Sequence, residues 1–119
     1  MLLGGTTMNI QETRQGNVNV ICPEGRLDSM NSIPFDKHLS KLIEEGSVFI
    51  TLDCAKLDYV SSAGLRAILS AAKKAKQAKG KLTLGNPTRQ VSEILDIAGF
   101  SSILPIFKTL DEAVKACTA

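Results

Sequence analysis

A change of period in mid-chain constrains this fold more than any other feature. Val48-Phe49-Ile50-Thr51-Leu52 is a compact apolar run of strand formers, whereas Leu65, Ile68, Leu69 and Ala72 recur at helical spacing. The backbone must therefore pass from extended to helical around Ser61 and Ser62. A strand as apolar as Val48 to Asp53 buries both faces, as a central parallel strand does. A serine just ahead of a helix caps it, because its oxygen accepts a hydrogen bond from a first-turn N–H that has no partner inside the helix. One cap suffices, yet the corner reads Ser61-Ser62-Ala63-Gly64. A glycine there costs about 1 kcal/mol of helix propensity relative to alanine, so small side chains at this corner point to close approach, as on a surface that receives another protein.

The same alternation of periods runs through the rest of the chain. Met8 to Thr13 and Val18 to Ile21 read as strands joined by a hairpin turn at Arg14-Gln15-Gly16-Asn17. Ser32 precedes Ile33-Pro34, a helix start with proline in the first turn, and Phe35, Leu39, Leu42 and Ile43 form a stripe that ends before Gly46. The central helix is expected from about Ala63 to Lys79, closed by Gly80. Lys81 to Gly85 gives a further strand, and Asn86-Pro87-Thr88 opens a helix carrying Val91, Ile94, Leu95 and Ala98. Leu104 to Phe107 gives a short last strand, and Thr109-Leu110-Asp111-Glu112 reads as a capping box for a final helix with Leu110, Ala113 and Val114 inward. Strands alternating with helices imply right-handed parallel crossovers, with binding sites beyond the carboxyl ends of the strands. The Gly25–Asp28 and Asp58–Ser62 segments, read as loops leaving strand ends, should then share one edge of the molecule.

The 119 residues suffice for one domain with a real core, and 44% hydrophobic with 22% charged residues is ordinary for a globular chain. A net charge of +2 is too small to argue for nucleic acid or an anionic membrane as partner, and the lysines at 73, 74, 76, 79 and 81 follow a solvated helix face and its exit. Cys22, Cys54 and Cys117 show no metal-type spacing and read as reduced thiols of a cytoplasmic protein. Residues 1–7 have neither the basic start nor the apolar length of a signal peptide, and read as a disordered lead-in to a domain over 8–117.

Tyr59-Val60-Ser61-Ser62-Ala63-Gly64-Leu65 resembles the signature of the STAS-domain anti-sigma-factor antagonists, in which a serine before a small residue, Gly and Leu is phosphorylated by a partner kinase. Gly25-Arg26-Leu27-Asp28 resembles that family's turn after the second strand. Leu95-Asp96-Ile97-Ala98-Gly99-Phe100, followed by Ile103-Leu104-Pro105-Ile106-Phe107, resembles its stretch near the last helix and strand. The resemblance implies an α/β fold, a STAS-like single domain: a mixed, mostly parallel sheet of four to five strands with an N-terminal antiparallel hairpin and about four helices. It places Ser62 on the phosphoacceptor position. Many phosphorylated members carry an acid where this chain has Ser61, which makes Ser61 a cap or a second candidate acceptor. The resemblance further implies an anti-sigma serine kinase as partner, with a cognate phosphatase. Ser61, Ser62, Ala63 and Gly64 would lie at the contact, with Gly64 letting the partner approach, and Arg66, one step into the helix, is either a further partner contact or a solvated side chain. Asp28 and Asp58 would flank the same edge, as partner contacts or as turn and cap residues.

Enzyme chemistry finds little support. Asp53 at a strand end is placed like a receiver phosphoacceptor, but Glu24 and Asp28 do not supply the acidic pair that holds Mg²⁺ in receivers. Cys54 lacks a basic phosphate loop behind it, since Lys56 and Arg66 stand at the wrong spacing. His38, the one histidine, lies among polar helix neighbours and reads as solvated. No lysine-bearing glycine-rich loop or paired-histidine helix is present. The expectation is a non-enzyme without cofactor or metal, switched off by serine phosphorylation, with the ATP carried by the kinase. The alternative is a non-phosphorylated STAS-type adaptor or subunit of a membrane transporter or lipid-trafficking complex.

Overall fold

The computed structural model describes residues 9–118, so the lead-in expected over residues 1–7, and Met8, lie outside the described residues. The elements in chain order are β1 (Ile10–Gln15), β2 (Val18–Pro23), β3 (Gly25–Leu27), α1 (Ser32–Glu44), β4 (Phe49–Asp53), β5 (Leu57–Val60), α2 (Ser62–Gln77), β6 (Lys81–Gly85), α3 (Arg89–Ile97), a 3₁₀ turn (Phe100–Ser102), β7 (Ile106–Phe107) and α4 (Leu110–Cys117). Five strands form the main sheet in the order β1-β2-β4-β6-β7, with β1 and β2 an antiparallel hairpin and the remaining pairs parallel. This is the expected mixed sheet, with β4 at its centre.

The period of two along the strands divides the sheet into two faces. Ile21, Ile50, Leu52, Leu82 and Leu84 belong to the main core with Phe35, Leu39, Ile68, Ala71, Val91 and Leu95 from α1, α2 and α3. Fully burying a side chain of this size contributes about 1.5–3 kcal/mol, so this cluster is the main source of stability. Val18 and Val20 point the other way and meet Cys117, with Phe49, Leu110 and Val114 packed alongside under α4. Below α4 the buried Thr51 and Thr83 hydroxyls lie 2.8 Å apart, and Thr83 donates to the Ala113 carbonyl at 2.9 Å. These threonines hold two polar groups inside the core without leaving them unpaired.

Several elements depart from the sequence reading. The Gly25–Asp28 and Asp58–Ser62 segments, read as loops, lie largely in the strands β3 (Gly25–Leu27) and β5 (Leu57–Val60), paired in parallel as a separate two-stranded sheet. The hairpin turn contracts to Gly16-Asn17 because β1 runs on to Gln15. The N-cap of α1 is Asn31, and Ser32 is already helical and buried. α2 stops at Gln77, since Lys79 takes a left-handed conformation with φ of 66°. Gly80 does close the helix, its N–H donating to the Ala75 carbonyl at 2.7 Å while that of Lys79 donates to Lys76 at 3.0 Å, and it must be glycine for contact: a Cβ there would lie 2.0 Å from the Val48 carbonyl oxygen. At α4 the Thr109 hydroxyl accepts from the Glu112 N–H at 3.2 Å and donates to its carboxylate at 3.0 Å. That is a cap in which the acid returns to the threonine side chain rather than to its backbone.

Candidate functional site

The site is built where β3 and β5 run into helices. Arg26 pairs with Tyr59 and Leu27 with Val60, and the Ser61 N–H donates to the Leu27 carbonyl at 2.8 Å. The two segments expected to share an edge are thus hydrogen-bonded to each other. A β-strand of three residues cannot hold itself, and buried side chains anchor this pair from below: Leu27 and Leu57 are almost wholly enclosed, and Val60 nearly so. On the outer side the Arg26 guanidinium lies 4.4 Å from the Tyr59 ring centroid, a cation–π contact across the two strands.

A second set of bonds fixes the turn after β3. The Asn31 side chain donates to the Arg26 carbonyl at 2.8 Å and accepts from the Asp28 N–H at 2.8 Å. In return the Asp28 carboxylate accepts from the Met30 N–H at 3.0 Å and the Asn31 N–H at 3.3 Å. Asp28 therefore has a turn-forming role that its sequence position allowed. Asn31, which the sequence reading passed over, is buried and locks the loop. The signal for it was present in an Asx-type composition ahead of a helix, but the adjacent Ser32 was an equally good cap. Asp28 and Asp58 line one shallow depression together with Glu24, Gly25, Arg26 and Asn31.

At the start of α2 the two serines divide the work. Ser61 is the N-cap, half-buried, and its hydroxyl accepts from the Gly64 N–H at 3.1 Å. Ser62 is the first helical residue and is exposed. Ala63 is half-exposed and Arg66 exposed. Both line an open groove between α1 and α2 with Ile33 and Asp36 on its other wall. Met30 and Ile33, 66% and 63% exposed, add apolar surface beside it.

Gly64 behaves differently from the expectation. It is buried, and a Cβ on it would lie 2.7 Å from the Leu27 carbonyl oxygen, 2.9 Å from Leu27 Cγ and 3.0 Å from Val60 Cγ1. The close approach that its small size permits is by the protein's own β3, not by a visitor. This corrects the placing of Gly64 on the contact surface.

The residues weighed for enzyme chemistry lie apart from this edge or are otherwise occupied. The Asp53 carboxylate accepts from the Ala55 N–H at 3.1 Å. Burial, with the nearby Asp53 charge second, pushes the Cys54 thiol up to about 12, so it holds its proton at neutral pH. Burial also raises Cys22 and Cys117. His38 pairs with Glu12 of β1 across the surface of the main sheet. Among the described residues no group of three or more His, Cys, Asp or Glu side chains could hold a metal ion, and no helix is long and apolar enough to cross a membrane.

The comparisons with known proteins agree with this architecture. The family model of the STAS domain matches residues 9–113. A Bordetella bronchiseptica protein named as an anti-sigma factor antagonist, BtrV, is 35% identical over 97 residues, 82% of this chain and 84% of that protein. A Thermotoga maritima structure described as an anti-sigma factor antagonist superposes with a TM-score of 0.86 at 21% identity, covering 92% of this chain and 95% of that one. The anti-sigma factor antagonist SpoIIAA in its unphosphorylated form gives 0.77 at 22% identity over 91% and 95%. The phosphorylated form, from Bacillus, gives 0.69 at 20% over 92% and 98%. With a family model spanning nearly the whole described chain and a relative alike over most of its length, this chain belongs to the STAS-domain family of anti-sigma-factor antagonists.

Proposed function

We propose that this protein binds an anti-sigma serine kinase while Ser62 is unmodified, and that phosphorylation of Ser62 ends the binding. The observation that carries this reading is the division between the serines: Ser61 makes the cap, which leaves the Ser62 hydroxyl exposed and dispensable to the fold. The likeness to BtrV supports the partner class, and the existence of SpoIIAA in unphosphorylated and phosphorylated forms supports the switch. In the kinase reaction the Ser62 Oγ–P bond forms as the bond between the γ-phosphorus and its bridging oxygen breaks. ADP leaves, and the hydroxyl proton passes to a base of the kinase. A cognate phosphatase reverses the modification by hydrolysis. Both partners place the protein in the cytoplasm, and it needs no cofactor of its own.

Phosphorylation adds roughly −1.5 to −2 charges at Ser62. The host tolerates the anion, because the N-terminal end of a helix favours negative charge by about 0.3–1 kcal/mol. The visitor meets an anion in the middle of a packed contact formed by Asp28, Asp58, Ser62, Ala63 and Arg66, with Ser61 and Gly64 shaping the corner from within. Ser61, half-buried and engaged in the cap, is the poorer acceptor of the two.

Incubation with the cognate kinase and ATP should add one phosphate by intact mass, and Ser62→Ala should abolish it. Ser62→Asp should weaken kinase binding by about 2 kcal/mol or more, roughly thirtyfold in Kd, with little change in Tm. A phosphate that persists in Ser62→Ala overturns the assignment of the acceptor. If no phosphate appears at all, the non-phosphorylated adaptor reading takes its place.

A further inference from the structure

Arg66 stands four residues after Ser62, and on a helix that spacing brings the two side chains onto one face with Cβ atoms about 5–6 Å apart. Both residues are exposed. The order is the favourable one, with the anion nearer the N-terminus and the cation following. Arg66 is the one charged residue in the first two turns of α2, and among the described residues it makes no ion pair within 4.0 Å. Of the other cations, Arg26 lies on the Tyr59 ring, Lys56 pairs with Glu24 at 3.3 Å and Lys74 with Asp36 at 3.7 Å, while Lys73, which lines a depression with Arg66 further along α2, stands too many turns from Ser62 to reach it. Arg66 also lines the groove between α1 and α2.

We infer that Arg66 is the intramolecular receiver of the phosphoryl group on Ser62, and that the pair they form draws Arg66 out of the α1–α2 groove. The inference rests on the reading of Ser62 as the phosphoacceptor and deepens it. The switch then has two parts, an anion added at the corner and a cation withdrawn from the surface beside it. Arg66 acts here as a positioning residue for the phosphate. A phosphate on Ser61 would have no such receiver, since its i+4 position is Leu65. The acids around the corner are Asp28 and Asp58 on the β3–β5 edge and Asp36 across the groove. They raise the phosphate pKa and oppose the effect of Arg66, so the contribution of Arg66 must be read as a difference between variants.

The test uses the full chain with phosphoserine placed at position 62 by genetic encoding, so its outcome is independent of any kinase. The second pKa of the phosphate, followed by ³¹P NMR, should lie about 0.3 unit or more lower in the native chain than in Arg66→Gln, with Arg66→Lys between the two. In the unsubstituted chain the Arg66 Nε–Hε resonance should shift on phosphorylation and titrate with the same midpoint. Equal pKa values in the native chain and Arg66→Gln, or an Nε–Hε signal indifferent to the phosphate, overturn the inference. If instead this contact is measured but the kinase leaves Ser62 untouched, the proposed function fails and the pairing stands.

Discussion

Gly64 shows how one missing side chain sets the geometry of the corner between β3 and α2. Helix propensity alone says that Gly64→Ala should stabilise α2 by about 1 kcal/mol. The packing says the reverse, because the new methyl would press on the Leu27 carbonyl, a backbone atom that cannot swing aside. Overpacking of this kind costs about 1–3 kcal/mol, and the steric term wins. Gly64→Ala should therefore lower the midpoint of urea unfolding, and a raised midpoint would show that β3 yields. The requirement for a small residue was legible in the sequence. Which surface comes close was not, because a heptad of residues does not say whether its neighbour is the same chain or another. Asn31 was hidden for a related reason: its partners, the Arg26 carbonyl and the Asp28 N–H, are backbone groups that any sequence would supply.

The start of α2 carries both the cap and the proposed phosphoacceptor, and mutation can separate them. Ser61→Ala removes the bond to the Gly64 N–H and should cost about 1 kcal/mol. Ser62→Ala, at an exposed position without the cap, should stay within about 0.5 kcal/mol of the parent. Thermal or urea unfolding of the two variants checks this, and equal losses would mean that the cap is shared. Elements with a long period were readable in advance: α2 is 16 residues long, enough to repeat its apolar stripe over several turns, and β4 is nearly continuous in apolar character. β3 and β5 were not, since strands of three and four residues contain too few repeats to show a period. They are strands because each finds the other, not because of their own composition.

In the whole molecule the centre of the sheet is covered on both faces, and its thiols report how well it is closed. Cys54 is wholly enclosed, and burial carries its thiol from 9.0 to about 12. The native state thus keeps the proton while the unfolded chain begins to release it near 9. The stabilisation is complete below pH 9 and declines as pH rises from there toward 12, by about 1.4 kcal/mol per pH unit for this one group. Urea midpoints measured from pH 7 to 10.5 should fall more steeply above pH 9 in the parent than in Cys54→Ala. Parallel curves would mean that the thiol is not held from ionising. The β3–β5 pair has a different bearing on the molecule as a whole. Its two strands are supplied from either side of α1 and β4, so neither half of the chain can make the corner alone. A polypeptide still emerging from the ribosome, with β3 out and β5 not yet made, has no finished edge, so if the proposed kinase docks there it meets only molecules whose synthesis has passed β5.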